Sequence, residues 1–172
     1  MFICEHFNVN YSTDSIKSKA TQKSKIYKKL TTSLKLEKDQ KVDQLFHHAH
    51  EAVFEEFDCL QCANCCKTTS PVFTERDIER IALHLKVRPV TFIGQYLMRD
   101  EEADWVLKQS PCAFLEPDNT CRIYSHRPVA CKTYPHTNRK KVRQLMDLTL
   151  KNSLICPAVQ LMLDSLEQNM SK

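Results

Sequence analysis

Four cysteines fall within eight residues, Cys59, Cys62, Cys65 and Cys66, and four more follow at Cys112, Cys121, Cys131 and Cys156. Thiolate sulfur selects zinc, iron–sulfur units or cuprous ion over hard cations. A two-residue gap lets both sulfurs of a C-x2-C turn reach one ion. Eight such donors suffice for two tetrahedral sites or one polynuclear centre. Neighbouring side chains diverge, so Cys65 and Cys66 divide more naturally between two sites, or between two metals of one centre. A simple zinc finger has no need of this doubling. The ninth cysteine, Cys4, has no partner at ligand spacing and reads as a bystander.

Little else in the chain points to chemistry. There is no Ser-His-Asp order, no HExxH and no paired-carboxylate site. Gly94 is the only glycine, which excludes a glycine-rich phosphate cradle. His47, His48 and His50 precede the cluster, but none stands at a fixed short offset from a cysteine. Glu55 and Glu56 are explained by a helix surface. Arg122 and Arg127 lie beside or between ligands. Their N–H groups suit hydrogen bonds to sulfur or pairing with its charge. Packing as surface arginines on Tyr124 is the competing reading. No catalytic residue is assigned, and enzyme activity is neither claimed nor excluded.

At 172 residues and 42% apolar, the chain fits one domain with an extension, or two very small ones. The start reaches an acid at Glu5 before any apolar run develops, so no signal peptide is expected. No stretch approaches the roughly 18 apolar residues of a membrane span. A cytoplasmic location is expected, where thiols persist and structural disulfides are rare. An odd cysteine count also fits a disulfide framework poorly. The formal charge is +4. Deprotonated ligands and bound divalent ions would bring it near zero, so overall basicity argues weakly for nucleic acid.

The expected fold class is mainly α, a small metal-stabilised domain with a few short strands around the cysteine cluster and an N-terminal helical extension. Residues 1–41 read as a basic tail or helical arm, and 42–172 as the cysteine-cluster domain. Residues 1–15 lack periodicity and suggest a mobile tail. Lys17 to Lys41 holds nine lysines, with a thin apolar stripe of Ile26, Tyr27, Leu30, Leu34 and Leu36. This is a solvated helix or partly disordered arm, or an arm touching a polyanion or protein partner. Val42, Leu45, Phe46, Ala49, Val53, Phe54 and Phe57 recur at helical spacing and lead into Cys59. Thr74 suits an N-cap, with Asp77 in the first turn. Ile78, Ile81, Ala82 and Leu85 form one apolar face. Pro89 opens another helix, with Val90, Phe92, Ile93, Tyr96 and Leu97 buried. Residues 105–108 suggest a short strand. A turn at 116–119 and a second strand at 121–124 would let Cys112 and Cys121 face each other across a hairpin. Pro128 suits a first helical turn. Tyr124 and Tyr134 read as core aromatics with wet hydroxyls. Residues 142–154 are of mixed period. Pro157 precedes a last amphipathic helix with Val159, Leu161, Met162, Leu163 and Leu166.

Four motifs occur in order: Cys59-Leu-Gln-Cys62-Ala-Asn-Cys65-Cys66, Pro111-Cys112-Ala-Phe-Leu115, Cys121 through Arg127-Pro128 to Cys131 and Pro135, and Cys156-Pro157. Over about residues 59–157 the chain resembles the YkgJ-type CxxCxxCC cysteine-cluster family, described as a zinc- or iron-chelating domain. Lys132 stands where an arginine is common, keeping the charge but losing the planar fork. The resemblance implies metal ligation by Cys59, Cys62, Cys65, Cys66, Cys112, Cys121, Cys131 and Cys156, with zinc or iron, or an iron–sulfur cluster, as cofactor. Some relatives are associated with flagellin lysine methylation. No cofactor motif here supports carrying that activity over.

Three functions compete at this point. One is a metal-binding protein whose ions fold a small core. Another is an iron–sulfur redox or modification enzyme. The third is a basic nucleic-acid-binding module, using the lysine arm and the run from His136 to Arg143. Metal ions are the expected partners, and no membrane is.

Overall fold

The structure is a computed structural model, and it describes residues 12–170. In chain order the helices are α1 (Thr13–Gln22), α2 (Ser24–Lys35), α3 (Asp39–Phe54), α4 (Cys59–Cys62), α5 (Asn64–Thr68), α6 (Glu75–His84), α7 (Pro89–Tyr96), α8 (Val129–Thr133), α9 (Met146–Ser153) and α10 (Pro157–Met170). Strands β1 (Leu97–Arg99) and β2 (Trp105–Leu107) form a two-stranded antiparallel sheet between α7 and α8. The fold is therefore mainly α, as the sequence predicts. No helix among the described residues is long and apolar enough to cross a membrane.

The chain divides into two compact units. One comprises residues up to Asp58 together with those from Pro135 onward, and the other is Cys59–Tyr134. These units change over at Cys59 and Tyr134. The residues expected to form a basic arm belong to the helical unit. Tyr27, Leu30 and Leu34 of the expected stripe are buried, whereas Ile26 and Leu36 stay exposed. Residues 12–15, expected in a mobile tail, begin α1, whose Ser12 side chain caps the Ser15 amide. Cys4 and residues 1–11 lie outside the described residues.

In the helical unit, α3 packs on α10, and α2 packs on both α9 and α10. The first half of α10 is buried nearly all round, from Pro157 to Leu163. Gln160 is enclosed there and its amide donates to the carbonyls of Ile16 and Ser153, both at 2.7 Å. Lys19 and Lys23 converge on Asp164 of α10, and the Tyr27 hydroxyl donates to the same carboxylate at 2.8 Å. Lys35 pairs with Asp147 and Lys41 with Glu37. Lys19 and Lys23 are thus half-buried against α10, while the other lysines of the run stay exposed. Residues 142–154, of undecided period in the sequence, form a 3-10 turn followed by α9.

The cysteine unit has its own apolar core of Phe73, Ile78, Ile81, Ala82, Phe92, Leu97, Leu107, Phe114 and Ile123. Thr74 caps α6 in a full capping box with Asp77. Pro89 begins α7, as predicted. Val90, expected inside, is 66% exposed, because Phe92 and Leu97 suffice to face the core. Leu97 begins a strand instead of ending a helix, and it pairs with Leu107. The expected strand at 121–124 is reduced to a single bridge between Leu115 and Cys121, after which Tyr124–His126 turns into a 3-10 helix. Tyr124 is 55% exposed and so is not a core aromatic.

Candidate metal centre

The first cysteine segment is built from two single-turn helices and the residue between them. The Ala63 amide closes α4 on the Cys59 carbonyl at 2.8 Å. Ala63 is buried and left-handed (φ 47°), and this turn redirects the chain so that α5 carries Cys65 and Cys66. Left-handed backbone costs a non-glycine residue on the order of 1–2 kcal/mol and persists only where its surroundings fix it. The Lys67 ammonium folds back onto the Cys62 carbonyl at 3.1 Å. Nothing in the sequence signals this turn, since alanine is not a turn residue.

The second segment is tied to the first by its main chain, the Cys112 amide donating to the Cys66 carbonyl at 2.8 Å. The Cys112 sulfur in turn accepts the Phe114 amide at 3.5 Å. Around the turn, Glu116 donates to the Thr120 carbonyl and brings Cys121 back beside Leu115. α8 then carries Cys131.

Cys66 is the electrostatic hub. Its sulfur lies 4.0 Å from that of Cys65. This hydrogen bond, aided by Lys67 and Arg127 and opposed by burial, brings the Cys66 thiol down to about 7. Cys62, Cys112 and Cys121 are pushed up, first by burial and then, among smaller causes, by the Cys66 charge. Cys131 is pushed up to about 12 by burial and by the charges of Cys66, Cys112 and Cys121. Each of these sulfurs is thus within the field of others, and without a cation nearby the raised thiols stay protonated at neutral pH. The eight described cysteines are all reduced. Among the described residues no three His, Cys, Asp or Glu side chains already stand at metal-holding geometry. The sulfurs are electrostatic neighbours, not a closed coordination shell. By donor chemistry the set fits a soft or borderline ion.

Residues 58–153, over half the chain, match the CxxCxxCC family model, whose description reads "putative zinc- or iron-chelating domain". The chain belongs to the CxxCxxCC family. No curated protein and no solved structure matches it.

The CxxCxxCC match encloses seven of the eight cysteines expected as ligands and ends ahead of Cys156. Those seven all lie in the cysteine unit, while Cys156 belongs to the helical unit and is 8% exposed. Of the histidines near the motif, His47 faces the Arg139 carbonyl and His50 the Thr137 hydroxyl, both within the helical unit. Arg127 satisfies both sequence readings at once. Its guanidinium lies 3.8 Å over the Tyr124 ring, and its charge lowers Cys66, Cys121 and Cys131. Arg122 lies 5.7 Å over the Phe114 ring and lowers Cys121.

Asp77 and Arg80 make long-range contacts that the sequence reading missed. Asp77 is wholly buried. Burial raises its carboxyl, but hydrogen bonds from Thr74, Arg80 and the Val129 amide outweigh that and hold it below the usual carboxylate range. The partners at Val129 lie far along the chain, so no local signal could have shown them.

Proposed function

We propose that this CxxCxxCC protein binds zinc or iron through the thiolates of Cys59, Cys62, Cys65, Cys66, Cys112, Cys121 and Cys131, and that the metal organises the 59–134 unit. The observation that carries this reading is the match of the cysteine motifs to a zinc- or iron-chelating family, with the Cys112 amide bonded to the Cys66 carbonyl and Cys121 bridged to Leu115. Lys67 and Arg127 border the set and favour its anionic form. Cys156, expected as an eighth ligand, lies in the other unit and beyond the family match, and is not included in this set. The group supplies, when bound, a positive charge that offsets clustered thiolates and cross-links their segments.

The role proposed is structural. Cys59–Thr68 places only Cys62, Ala63 and Asn64 in buried positions. That is too little apolar surface to hold two single-turn helices unaided. Elemental analysis and absorbance of anaerobically prepared protein test the reading. Colourless protein with stoichiometric zinc supports a structural site. Stoichiometric iron with visible charge-transfer bands moves the assignment to an iron or iron–sulfur centre. Protein that takes up neither metal sinks the proposal.

A further inference from the structure

We infer that Asp77 and Arg80 of α6 are positioning residues for the Arg127–Cys131 arm of the proposed metal site, an inference that rests on that site being the metal centre. The Asp77 carboxylate does two things. Its Oδ2 accepts from the Thr74 amide (3.1 Å) and hydroxyl (2.7 Å), which is local capping. Its Oδ1 faces the other way and accepts from the Val129 amide (3.2 Å) and from Arg80 (2.5 Å). The same Arg80 nitrogen donates to the carbonyls of His126 (3.3 Å) and Arg127 (3.0 Å).

Two α6 side chains therefore grip three main-chain groups in four consecutive residues. Pro128, the one residue among them without an amide hydrogen, is buried at the centre of the grip. The gripped segment begins after Cys121 and opens directly into α8. Val129 is the first residue of α8 and has no donor-capping side chain of its own, so the Asp77 carboxylate supplies the cap from another element. Cys131 sits two residues further on. Upstream, Arg127 rests on Tyr124 and donates to its carbonyl at 2.8 Å. The orientation of the Arg127 charge and the placing of the Cys131 sulfur are thus set from α6. A purely local capping role for Asp77 would need Oδ2 alone.

The test uses the full chain with Asp77→Asn and Arg80→Lys, and with Ile78→Val as a control that weakens the same helix without touching the grip. Per-cysteine alkylation by iodoacetamide, in chelator, reads the placing of Cys131 without metal. Cobalt(II) titration reads the site with metal. The expected result is faster alkylation of Cys131 relative to Cys112 in both grip variants and not in Ile78→Val. Cobalt affinity should fall roughly tenfold in the same variants, the range for groups that orient a ligand. That loss should vanish in a Cys131→Ser background. Equal acceleration at Cys112 and Cys131, or none at either, overturns the inference. Should Asp77→Asn fail to fold, Arg80→Lys carries the same comparison. Wild-type protein that takes up no cobalt, yet shows the Cys131-selective effect, removes the metal reading and leaves the grip standing. Normal cobalt binding in every variant with unchanged Cys131 reactivity removes the grip alone.

Discussion

The Cys112 amide donates to the Cys66 carbonyl across 2.8 Å, so two cysteine segments far apart in sequence are joined by a bond that involves neither sulfur. Replacing either thiol leaves this bond in place. In metal-free protein Cys66→Ser should cost only about 1 kcal/mol, for the altered hydrogen bond with Cys65. In metal-loaded protein the same change should lower both metal stoichiometry and melting temperature. Denaturant melts with and without chelator separate the two. Equal losses in both conditions would count against a metal role for Cys66.

Chelation should act unevenly along the cysteine unit. The core of Phe73, Ile78, Ile81, Phe92, Leu97 and Phe114 has Cys112 and Cys121 packed only at its edge. Hydrogen exchange in chelator should rise across residues 59–69, while the amides of α6 and α7 stay protected. A uniform rise through both regions would mean the apolar core cannot stand without the ion. No change anywhere would mean that no ion was holding the segment.

Alkaline stability should depend on Tyr27. Burial, and then its hydrogen bond to Asp164, push the phenol well above its usual range. The folded state holds this proton more tightly than the unfolded chain, whose phenol titrates near 10. The stabilisation is complete below that pH and is lost progressively above it. Tyr27→Phe should cost about 1 kcal/mol at neutral pH, for one hydrogen bond, and should flatten the decline between about pH 9 and 11. Parallel declines in the two proteins would exclude Tyr27 as the source.

On the acid side His126 should matter. Its ring stacks on His84 with centroids 3.9 Å apart and an interplanar angle of 13°. Burial, then the charges of His84, Arg80 and Lys132, hold its pKa below the usual histidine range. The unfolded chain takes up this proton more readily, so stability is full above about pH 6.5 and falls as the pH drops below it. His126→Gln should show a smaller fall between about pH 7 and 5 in thermal melts. A fall as steep as that of the wild type would assign the acid sensitivity elsewhere, with His50 and His136 shifted in the same direction.

Two backbone positions offer stabilisation. α6 ends with the Val87 amide on the Ala82 carbonyl (3.0 Å) and the Lys86 amide on the Leu83 carbonyl (3.1 Å). This closure places Lys86 at φ 58°. Lys86→Gly should gain about 1 kcal/mol by removing the strain. Gly94 sits within α7, and a methyl group there meets no atom within 4 Å. Gly94→Ala should gain about 1 kcal/mol from helix propensity. Denaturation midpoints check both, and a loss at either position would show that the local conformation differs.

What the sequence disclosed was local. The capping box at Thr74 and Asp77, the helix start at Pro89 and the final helix from Pro157 all follow from signals within a few residues. The cysteine motifs were equally legible, because ligand spacing is itself a local pattern. The failures share a long-range cause. Lys19 and Lys23 looked like a free basic arm because their partner, Asp164, lies near the other end of the chain. Asp77 looked like a cap because Val129 is far away in sequence. Leu97 was assigned to a helix because its strand partner Leu107 follows only after an acidic turn.

The helical unit is assembled from both flanks of the cysteine unit. During synthesis α2 and α3 leave the ribosome before the 3-10 turn at Val142–Leu145, α9 and α10, on which they pack. The whole cysteine unit, Cys59–Tyr134, is translated in that interval as one continuous stretch of chain. The continuous unit can therefore close before the discontinuous one, whose α2 and α3 wait exposed until α9 and α10 arrive.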